Sequence, residues 1–516
     1  MITKHLSTSS FVGECGQRYF RSRLWGTLNQ FRAFMFDMKC WIDHMKLADD
    51  GGDPPHVKLR ASRGLGAADY LWPGYWVWGR IITNLAVLGY DSNDMHLAAY
   101  DWRLGYSKLE TRDGYFSTLK MKIELAVKLA KKKVVVITHS MGALVFLYFM
   151  NWIRATHGHE SEGEEWLDTH LHRFVNIAGP LLGVTKSVPT FLNGENGDTA
   201  KLRMGNMVLE QVFSKQTRAD LFRSWIGSAS VLPKGGNAVW GGLNANYEAP
   251  DDSLDECDDN LVNNVLEENC VTRPRMVNKD GGVEMNISIS ASKGTSHQRI
   301  LSMDEAIELL FNVSGPRFTA HVKNEFSLGI AQSREDLNKA KTDKSKWSNA
   351  LEHSLPEFKS SKNRFRIVCL YGINKRTERS YQMRASDANF DNETDFSIDT
   401  SYNDATRQIS MGVKDSDGDG SVSLISLGYM CVDGWKRERY NPGGVMVITR
   451  EFKHQADDAY LQVRGGRATA DHVDLLGNWK MIEDLLMIVS GNDEFMEDQI
   501  FSQIKKISGR VHLPDL

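Results

Sequence analysis

The sequence predicts an α/β protein built on a mostly parallel central sheet. Between about residues 80 and 210, short β-branched runs alternate with segments of helical periodicity, a pattern typical of βαβ units. Hydrophobic residues make up 41% of the 516-residue chain and charged residues 25%, which is enough apolar material for a large core. The net charge of -4 gives no electrostatic reason to expect nucleic acid as a partner.

The predicted elements follow the chain in a βαβ order that resumes near the C-terminus. The predicted strands are residues 95–100, 133–138, 173–178, 365–371 and 445–452. The predicted helices are residues 115–132, 141–154 and 475–488. Between the two halves, residues 245–300 are acidic and rich in asparagine and serine, and residues 331–363 are strongly charged, so we expect loops or a cap there.

Ser140 is the candidate nucleophile. It follows a β-branched strand in the run Thr138-His139-Ser140-Met141-Gly142, the context of a nucleophile elbow in an α/β-hydrolase fold. Gly142 is the small residue that a tight strand-to-helix turn needs, whereas Thr138 stands where glycine is usual. Without further residues, a capped helix start explains the run equally well.

A serine hydroxyl needs a histidine base, and the histidine needs a carboxylate. In this fold the order along the chain is serine, acid, histidine. Two C-terminal segments qualify, residues 415–422 (DSDGDGSV) and residues 471–474 (DHVD). The first also resembles the opening of a calcium-binding EF-hand loop, but position twelve is Ser426 rather than glutamate. His139 is expected to pack rather than act as the base, because consecutive residues of a tight turn point apart.

Read together, the motifs resemble the phospholipid:diacylglycerol acyltransferases of the lecithin:cholesterol acyltransferase superfamily. The similarity covers most of residues 15–490. It includes residues 40–45 (CWIDHM), 73–78 (PGYWVW), 100–104 (YDWRL), 176–183 (NIAGPLLG), 232–236 (LPKGG) and 428–431 (GYMC).

This resemblance implies an α/β-hydrolase fold, a mostly parallel central sheet with cap and lid insertions. It implies four segments: a lid-bearing N-terminal segment (1–60), the first half of the core with the elbow (61–210), a cap and variable insertion (211–363), and the second half with the acid and base (364–516). The family normally has an anchor helix and a first strand before the lid. Neither is found in residues 1–60, so we expect a truncated gene model or another means of anchoring.

The resemblance also implies the site residues. Ser140 is the expected nucleophile, Asp419 the acid, with Asp417 as the alternative, and His472 the base. The backbone N–H groups of Met141 and Leu65 are the expected oxyanion hole. Aromatic side chains, Trp41 and Trp76 foremost, are expected to line the acyl-chain site, although plain packing explains them equally well.

Cysteine pairing and location follow from the same resemblance. Cys15 would pair with Cys40 to close the lid, and Cys369 with Cys431. Such bonds indicate an oxidising compartment, and the sequons at Asn286, Asn312 and Asn392 are consistent with one. We therefore expect a lumen-facing, membrane-associated protein of the endoplasmic reticulum. No apolar run is long enough to span a membrane.

The implied reaction moves a fatty acyl group from a phospholipid to diacylglycerol, or to another lipid alcohol such as a sterol, at a membrane surface. No cofactor and no metal are expected. Two alternatives remain open: a phospholipase or lipase that uses the same residues on water, and a non-catalytic lipid-binding relative.

Overall fold

This computed structural model describes residues 6–8, 13–26, 28–72, 74–157, 159–201, 209–242, 287–291, 298–358, 365–385, 396–405, 407–456 and 464–514. The sequons at Asn286 and Asn392, and most of the acidic stretch 245–300, lie outside these ranges. None of the helices within them is long and apolar enough to cross a membrane.

The centre of the molecule is a four-stranded parallel sheet. Its strands are β6 (Val134–His139), β7 (Leu171–Ile177), β10 (Arg366–Ile373) and β15 (Met446–Lys453). The order is β15-β10-β7-β6, and each neighbouring pair is parallel. The predicted α/β class with a parallel sheet is confirmed, since each of these strands overlaps a predicted one. β7 and β10 are buried on both faces, which explains their continuous apolar runs.

The predicted strand at residues 95–100 is wrong. Only Tyr100 has a strand-like bridge, and the other five residues form no ladder. Leu97 and Tyr100 are nevertheless buried, so the apolar pattern reflects packing of an extended segment rather than membership of the sheet. Within the described residues β6 is therefore an edge strand of the central sheet.

The described residues form three further sheets, of three, two and six strands. β1 (Leu6–Thr8), β2 (Arg23–Trp25) and β3 (Leu59–Ala61) form one of them, and β4 (Tyr70–Trp72) pairs with β5 (Tyr75–Trp76). The second large sheet contains β8 (Ile287–Ala291), β9 (Gln298–Leu301), β11 (Thr377–Ala385), β12 (Phe396–Ile398), β13 (Ile409–Ser410) and β14 (Val413–Ser416).

Helices cover the central sheet, and the predicted ones are confirmed within a few residues. The helices are Gly13–Tyr19, Leu28–Phe36, Met38–Met45, Gly79–Val87, Tyr106–Asp113, Tyr115–Ala130, Gly142–Thr156, Glu160–His170, Ser187–Asn193, Gly197–Ala200, Lys215–Ser224, Gly236–Trp240, Met303–Glu325, Arg334–Lys339, Leu424–Val432, Trp479–Ser490 and Ile504–Ser508. The predicted helix 475–488 begins later because Asn478 caps it, its side chain accepting from the Met481 N–H at 3.2 Å. Leu475 lies instead in a 3-10 turn, Asp474–Gly477.

A buried ion-pair group ties the N-terminal segment to the core. Asp101 is fully buried and pairs with Arg103 (2.7 Å) and Arg112 (2.9 Å). Burial raises the pKa of the Asp101 carboxyl, but the two guanidinium groups outweigh it and lower that pKa overall. Arg103 also donates to the carbonyl of Met45 at 3.0 Å. The end of helix Met38–Met45 is thereby held against the segment that follows residue 100.

The structure contains both expected disulfides. Cys15 and Cys40 have Cα atoms 5.5 Å apart and are separated by 25 residues in sequence, while Cys369 and Cys431 are 6.4 Å apart and separated by 62. Closing loops of these lengths restricts the unfolded chain, which stabilises the fold by about 3 to 4 kcal/mol each.

We therefore expect a Cys369→Ala/Cys431→Ala variant to have a free energy of unfolding about 4 kcal/mol below that of the wild type. Urea unfolding with and without reductant measures this loss. Of the two disulfides in the described chain, this variant keeps the Cys15–Cys40 bond, so reductant should lower its remaining stability further. A variant as stable as the wild type would contradict the expectation.

Lys234 is a fully buried lysine. Its Nζ donates to the carbonyl of Ser230 at 2.7 Å, and no carboxylate of the described chain pairs with it. Burial lowers the pKa of this amine from 10.5 to about 7. Between these two values the unfolded chain binds a proton that the folded chain does not. The free energy of unfolding therefore falls as the pH drops from 10.5 to about 7, and the penalty is complete below that.

Replacing Lys234 by methionine should remove this pH dependence. A shift from 10.5 to about 7 corresponds to at most ~5 kcal/mol, and losing the bond to the Ser230 carbonyl offsets ~1–3 kcal/mol of that. We expect a net gain of about 2 kcal/mol at pH 7. Denaturant unfolding between pH 7 and 10 measures it, with the exposed Lys128→Met as the matched control. The same slope in both variants would contradict the expectation.

Candidate active site

Ser140 lies at a sharp turn between β6 and helix Gly142–Thr156. Its φ is 56°, a left-handed conformation that costs a non-glycine residue energy and recurs at functional sites. The Ser140 N–H donates to the carbonyl of Ile177 on β7 at 3.0 Å, which holds the turn at the carboxyl end of the sheet. This geometry is that of a nucleophile elbow and not of an ordinary capped helix start.

Thr138 fits the turn because its side chain is buried against the neighbouring strand. Its Oγ1 points to the carbonyl of Val175 at 3.4 Å. Room for helix Gly142–Thr156 is left instead by the missing side chain of Gly179. A Cβ at that position would lie 2.6 Å from the Cβ of Ala143, which is too close. The glycine expected at position 138 is therefore not needed in this protein.

The three residues expected to form a triad meet in space. His472 Nε2 lies 2.9 Å from Ser140 Oγ, and His472 Nδ1 lies 2.7 Å from Asp419 Oδ2. Since a carboxylate accepts, Nδ1 carries the proton, and Nε2 is left to accept the proton of the hydroxyl. The second oxygen of fully buried Asp419 accepts from the N–H groups of Ser421 (3.0 Å) and Val422 (2.8 Å). This arrangement can deprotonate a serine and stabilise the resulting imidazolium.

Asp417 has a different set of partners. Its Oδ1 accepts from the N–H groups of Asn374 (2.6 Å) and Gly418 (2.7 Å), which shape the loop. Asp415 pairs with Arg376 at 3.3 Å, and the segment before this loop is strand β14, not the helix that an EF-hand requires. The geometry favours Asp419 over Asp417 as the acid.

The two residues expected to supply the oxyanion hole begin tight turns. Leu65 follows Gly64 (φ 88°) and opens the 3-10 turn Leu65–Ala67, while Met141 follows Ser140. Within the described chain, neither backbone N–H donates to another protein group. Both N–H groups are therefore available to a developing oxyanion.

The tryptophans expected at the acyl-chain site lie in different environments. Trp41 is almost fully buried, with its ring 4.5 Å from Phe34 and its Nε1 donating to the carbonyl of Leu24 at 2.9 Å. This placement favours packing within the N-terminal segment. Trp76 is half-buried and stacks on the guanidinium of Arg464 at 3.9 Å. Arg464 also pairs with Asp474, which links Trp76 to the segment that carries His472.

Sequence reasoning missed two histidines that contact this segment. His139 Nε2 lies 2.8 Å from the backbone carbonyl of His472. His454 Nδ1 accepts from the Ala470 N–H at 3.1 Å, and burial, together with nearby Lys375, lowers its pKa and keeps that nitrogen free to accept. No local sequence pattern predicts either contact. For His139 the one available signal was its place beside the candidate nucleophile Ser140.

Comparison with known proteins gives a family match and several relatives that align with nearly the whole of this chain. The lecithin:cholesterol acyltransferase family profile matches residues 19–479. The phospholipid:diacylglycerol acyltransferase of Schizosaccharomyces pombe is 37% identical over 515 residues, covering 99% of this chain and 75% of that protein. The Saccharomyces cerevisiae protein of the same name is 34% identical, with 97% and 70% covered. Phospholipid:diacylglycerol acyltransferase 1 of Arabidopsis thaliana is 33% identical, with 97% and 81% covered.

Proposed function

Because the chain belongs to the lecithin:cholesterol acyltransferase family, we propose that it moves a fatty acyl group from a phospholipid to diacylglycerol through a seryl acyl-enzyme. The names of its near-full-length relatives support the substrates. The contacts of His472 with Ser140 and Asp419 support the mechanism, and they are the observation that carries the proposal. The parallel sheet and the elbow favour an α/β-hydrolase core.

In the first half-reaction, His472 takes the proton of Ser140 as Oγ attacks an ester carbonyl of the phospholipid. The resulting oxyanion is held by the N–H groups of Met141 and Leu65, each worth about 3 kcal/mol at the transition state. Asp419 keeps the imidazole in the required tautomer. His472 then protonates the departing lysophospholipid oxygen, and the acyl group remains on Ser140.

In the second half-reaction, the hydroxyl of diacylglycerol attacks the acyl-enzyme, with His472 again as base, and triacylglycerol leaves. Water is a competing acceptor at this step. Transfer is favoured only where the acceptor is held beside the acyl group and water is excluded. The N-terminal segment is suited to this work, because its disulfide closes residues 15–40 into a loop and the Arg103 contact with Met45 holds the segment to the core.

The direct test supplies purified protein with acyl-labelled phosphatidylcholine and diacylglycerol in mixed vesicles. We expect labelled triacylglycerol and lysophosphatidylcholine in equal amounts. Free fatty acid as the sole labelled product, with diacylglycerol present in excess, would contradict acyl transfer and identify a phospholipase. A sterol offered in place of diacylglycerol tests the breadth of acceptors in the same assay.

We also propose a membrane surface as the place of reaction, because both substrates are lipids. Met35 and Phe36, at the end of helix Leu28–Phe36, are 72% and 82% exposed. They belong to the segment closed by the bond between Cys15 and Cys40. Exposed large apolar side chains at such a segment suit contact with the acyl boundary of a bilayer.

We propose a luminal location in the endoplasmic reticulum, which the disulfides support because they suit an oxidising compartment. Asn312 allows this location to be tested. This sequon asparagine is exposed on helix Met303–Glu325. In cells with a secretory pathway we expect peptide N-glycosidase to reduce the apparent mass, and Asn312→Gln to remove that part of the change. A chain recovered with Asn312 unmodified and its paired cysteines reduced would contradict the location.

A further inference from the structure

We propose that His139 is a positioning residue, which holds the backbone of the base His472 against the strand that carries the nucleophile. This inference rests on the proposed function in one respect, that His472 acts as the base. His139 is the last residue of β6, directly before Ser140, and is buried to 6% exposure. Its Nε2 lies 2.8 Å from the carbonyl oxygen of His472.

Four hydrogen bonds fix His472, and they come in two pairs. Asp419 supplies one pair, since its carboxylate accepts from Nδ1 and its carbonyl accepts from the His472 N–H at 2.8 Å. The elbow supplies the other pair of hydrogen bonds. Ser140 Oγ bonds to Nε2 of His472, and Nε2 of His139 bonds to the backbone carbonyl of His472. The side chain and the backbone of the base are therefore each held by both the acid and the elbow.

The direction of the His139 bond follows from its chemistry. A carbonyl oxygen can only accept, so Nε2 of His139 carries a proton and donates it. The two imidazole rings lie 4.9 Å apart at an angle of 41°, so the ring of His139 also limits how His472 can tilt. The side chain of histidine therefore supplies both the N–H donor for the His472 carbonyl and the planar ring that packs beside the ring of His472.

The segment that carries His472 lies between β15 and helix Trp479–Ser490. Its described residues, 454–456 and 464–478, include no helix or strand apart from the short 3-10 turn Asp474–Gly477, so contacts such as that of His139 have to position the base. A displacement of about 1 Å at a reacting group can lower a rate by about 100-fold. The bond from His139 holds the carbonyl oxygen of the base, and this carbonyl group is attached to the Cα from which the side chain projects.

His139 is also linked, through Trp78 and Ala68, to the turn that contains Leu65. The ring of Trp78 packs edge-on against it at 6.3 Å, and the Trp78 N–H donates to the carbonyl of Ala68 at 3.1 Å. Ala68 in turn donates to the carbonyl of Leu65 at 3.0 Å. His139 thus contacts the base directly and is connected to the turn of Leu65 through Trp78 and Ala68.

The test compares His139→Gln with His139→Met, two unbranched side chains of similar length of which only glutamine has an N–H donor. The measurements are the rate at which a fluorophosphonate probe labels Ser140, and kcat and KM for phosphatidylcholine. We expect His139→Met to lower kcat and the labelling rate by about 10- to 100-fold with KM unchanged. His139→Gln should recover most of the loss.

The control is His353→Met, a change at another buried histidine whose Nδ1 lies 3.3 Å from a backbone carbonyl, that of Ser354. It should leave the labelling rate unchanged. His139→Phe, which keeps a ring and lacks a donor, repeats the comparison if the methionine variant does not fold. Labelling by His139→Met at the wild-type rate, or equal losses in the glutamine and methionine variants, would overturn the proposal. Labelling of Ser140 by the probe needs no diacylglycerol, so this measurement tests the role of His139 even if water proves to be the acyl acceptor. If the wild-type protein is not labelled at Ser140, the proposed function itself is overturned.

Discussion

Replacing Ser140 by alanine is expected to lower acyl transfer by about 10⁴- to 10⁶-fold, because it removes the hydroxyl that we propose forms the acyl-enzyme. The residual rate would come from binding and the oxyanion donors alone. The change removes one oxygen from a half-buried turn residue and keeps the backbone bond from Ser140 to Ile177 that holds the elbow, so the fold should be retained.

The measurement is triacylglycerol formation from labelled phosphatidylcholine, together with the loss of fluorophosphonate labelling. Ser348→Ala is the matched control, since Ser348 is a buried serine in the charged segment outside the site, and it should keep full activity. Transfer by Ser140→Ala at the wild-type rate would exclude the acyl-enzyme. Absence of transfer and labelling in both the folded wild type and the variant would instead favour a non-catalytic lipid-binding relative.

The second large effect is expected at the acid. Asp419→Asn should lower kcat by about 10⁴-fold, the loss seen when an asparagine replaces the acid of another serine triad. The amide would donate to Nδ1 of His472 and force the proton onto Nε2, which then could not accept from Ser140. The side-chain oxygen that remains in Asp419→Asn can still accept from the N–H groups of Ser421 and Val422, so the loop should keep its shape.

Asp417→Asn is the matched control, two residues away on the same loop. Its amide oxygen can still accept from Asn374 and Gly418, and it makes no contact with His472. We expect its kcat to stay within about 10-fold of the wild type. Comparing kcat of the two variants, with thermal unfolding of each, decides the assignment. A larger loss in Asp417→Asn would reverse it.

Much of the central sheet could be predicted from local sequence. The β-branched run before Ser140 becomes β6, and the apolar runs around Cys369 and Ile448 become the buried strands β10 and β15. Residues 95–100 show the limit of such patterns. Leu97 and Tyr100 are buried, but a strand also needs a hydrogen-bonded neighbour, and periodicity carries no information about neighbours.

The sequence by itself determined that Ser140 stands at a strand-to-helix turn, and the family motifs pointed to Asp419 and His472. Only the tertiary structure shows that Nδ1 of His472 lies against Asp419, and that His139 contacts the carbonyl of His472. The physical reason is distance along the chain. The bond between His472 and Ser140 joins residues 332 apart, and that between His472 and Asp419 joins residues 53 apart. Local propensities act over a few residues, whereas these contacts depend on how the whole sheet brings its carboxyl ends together.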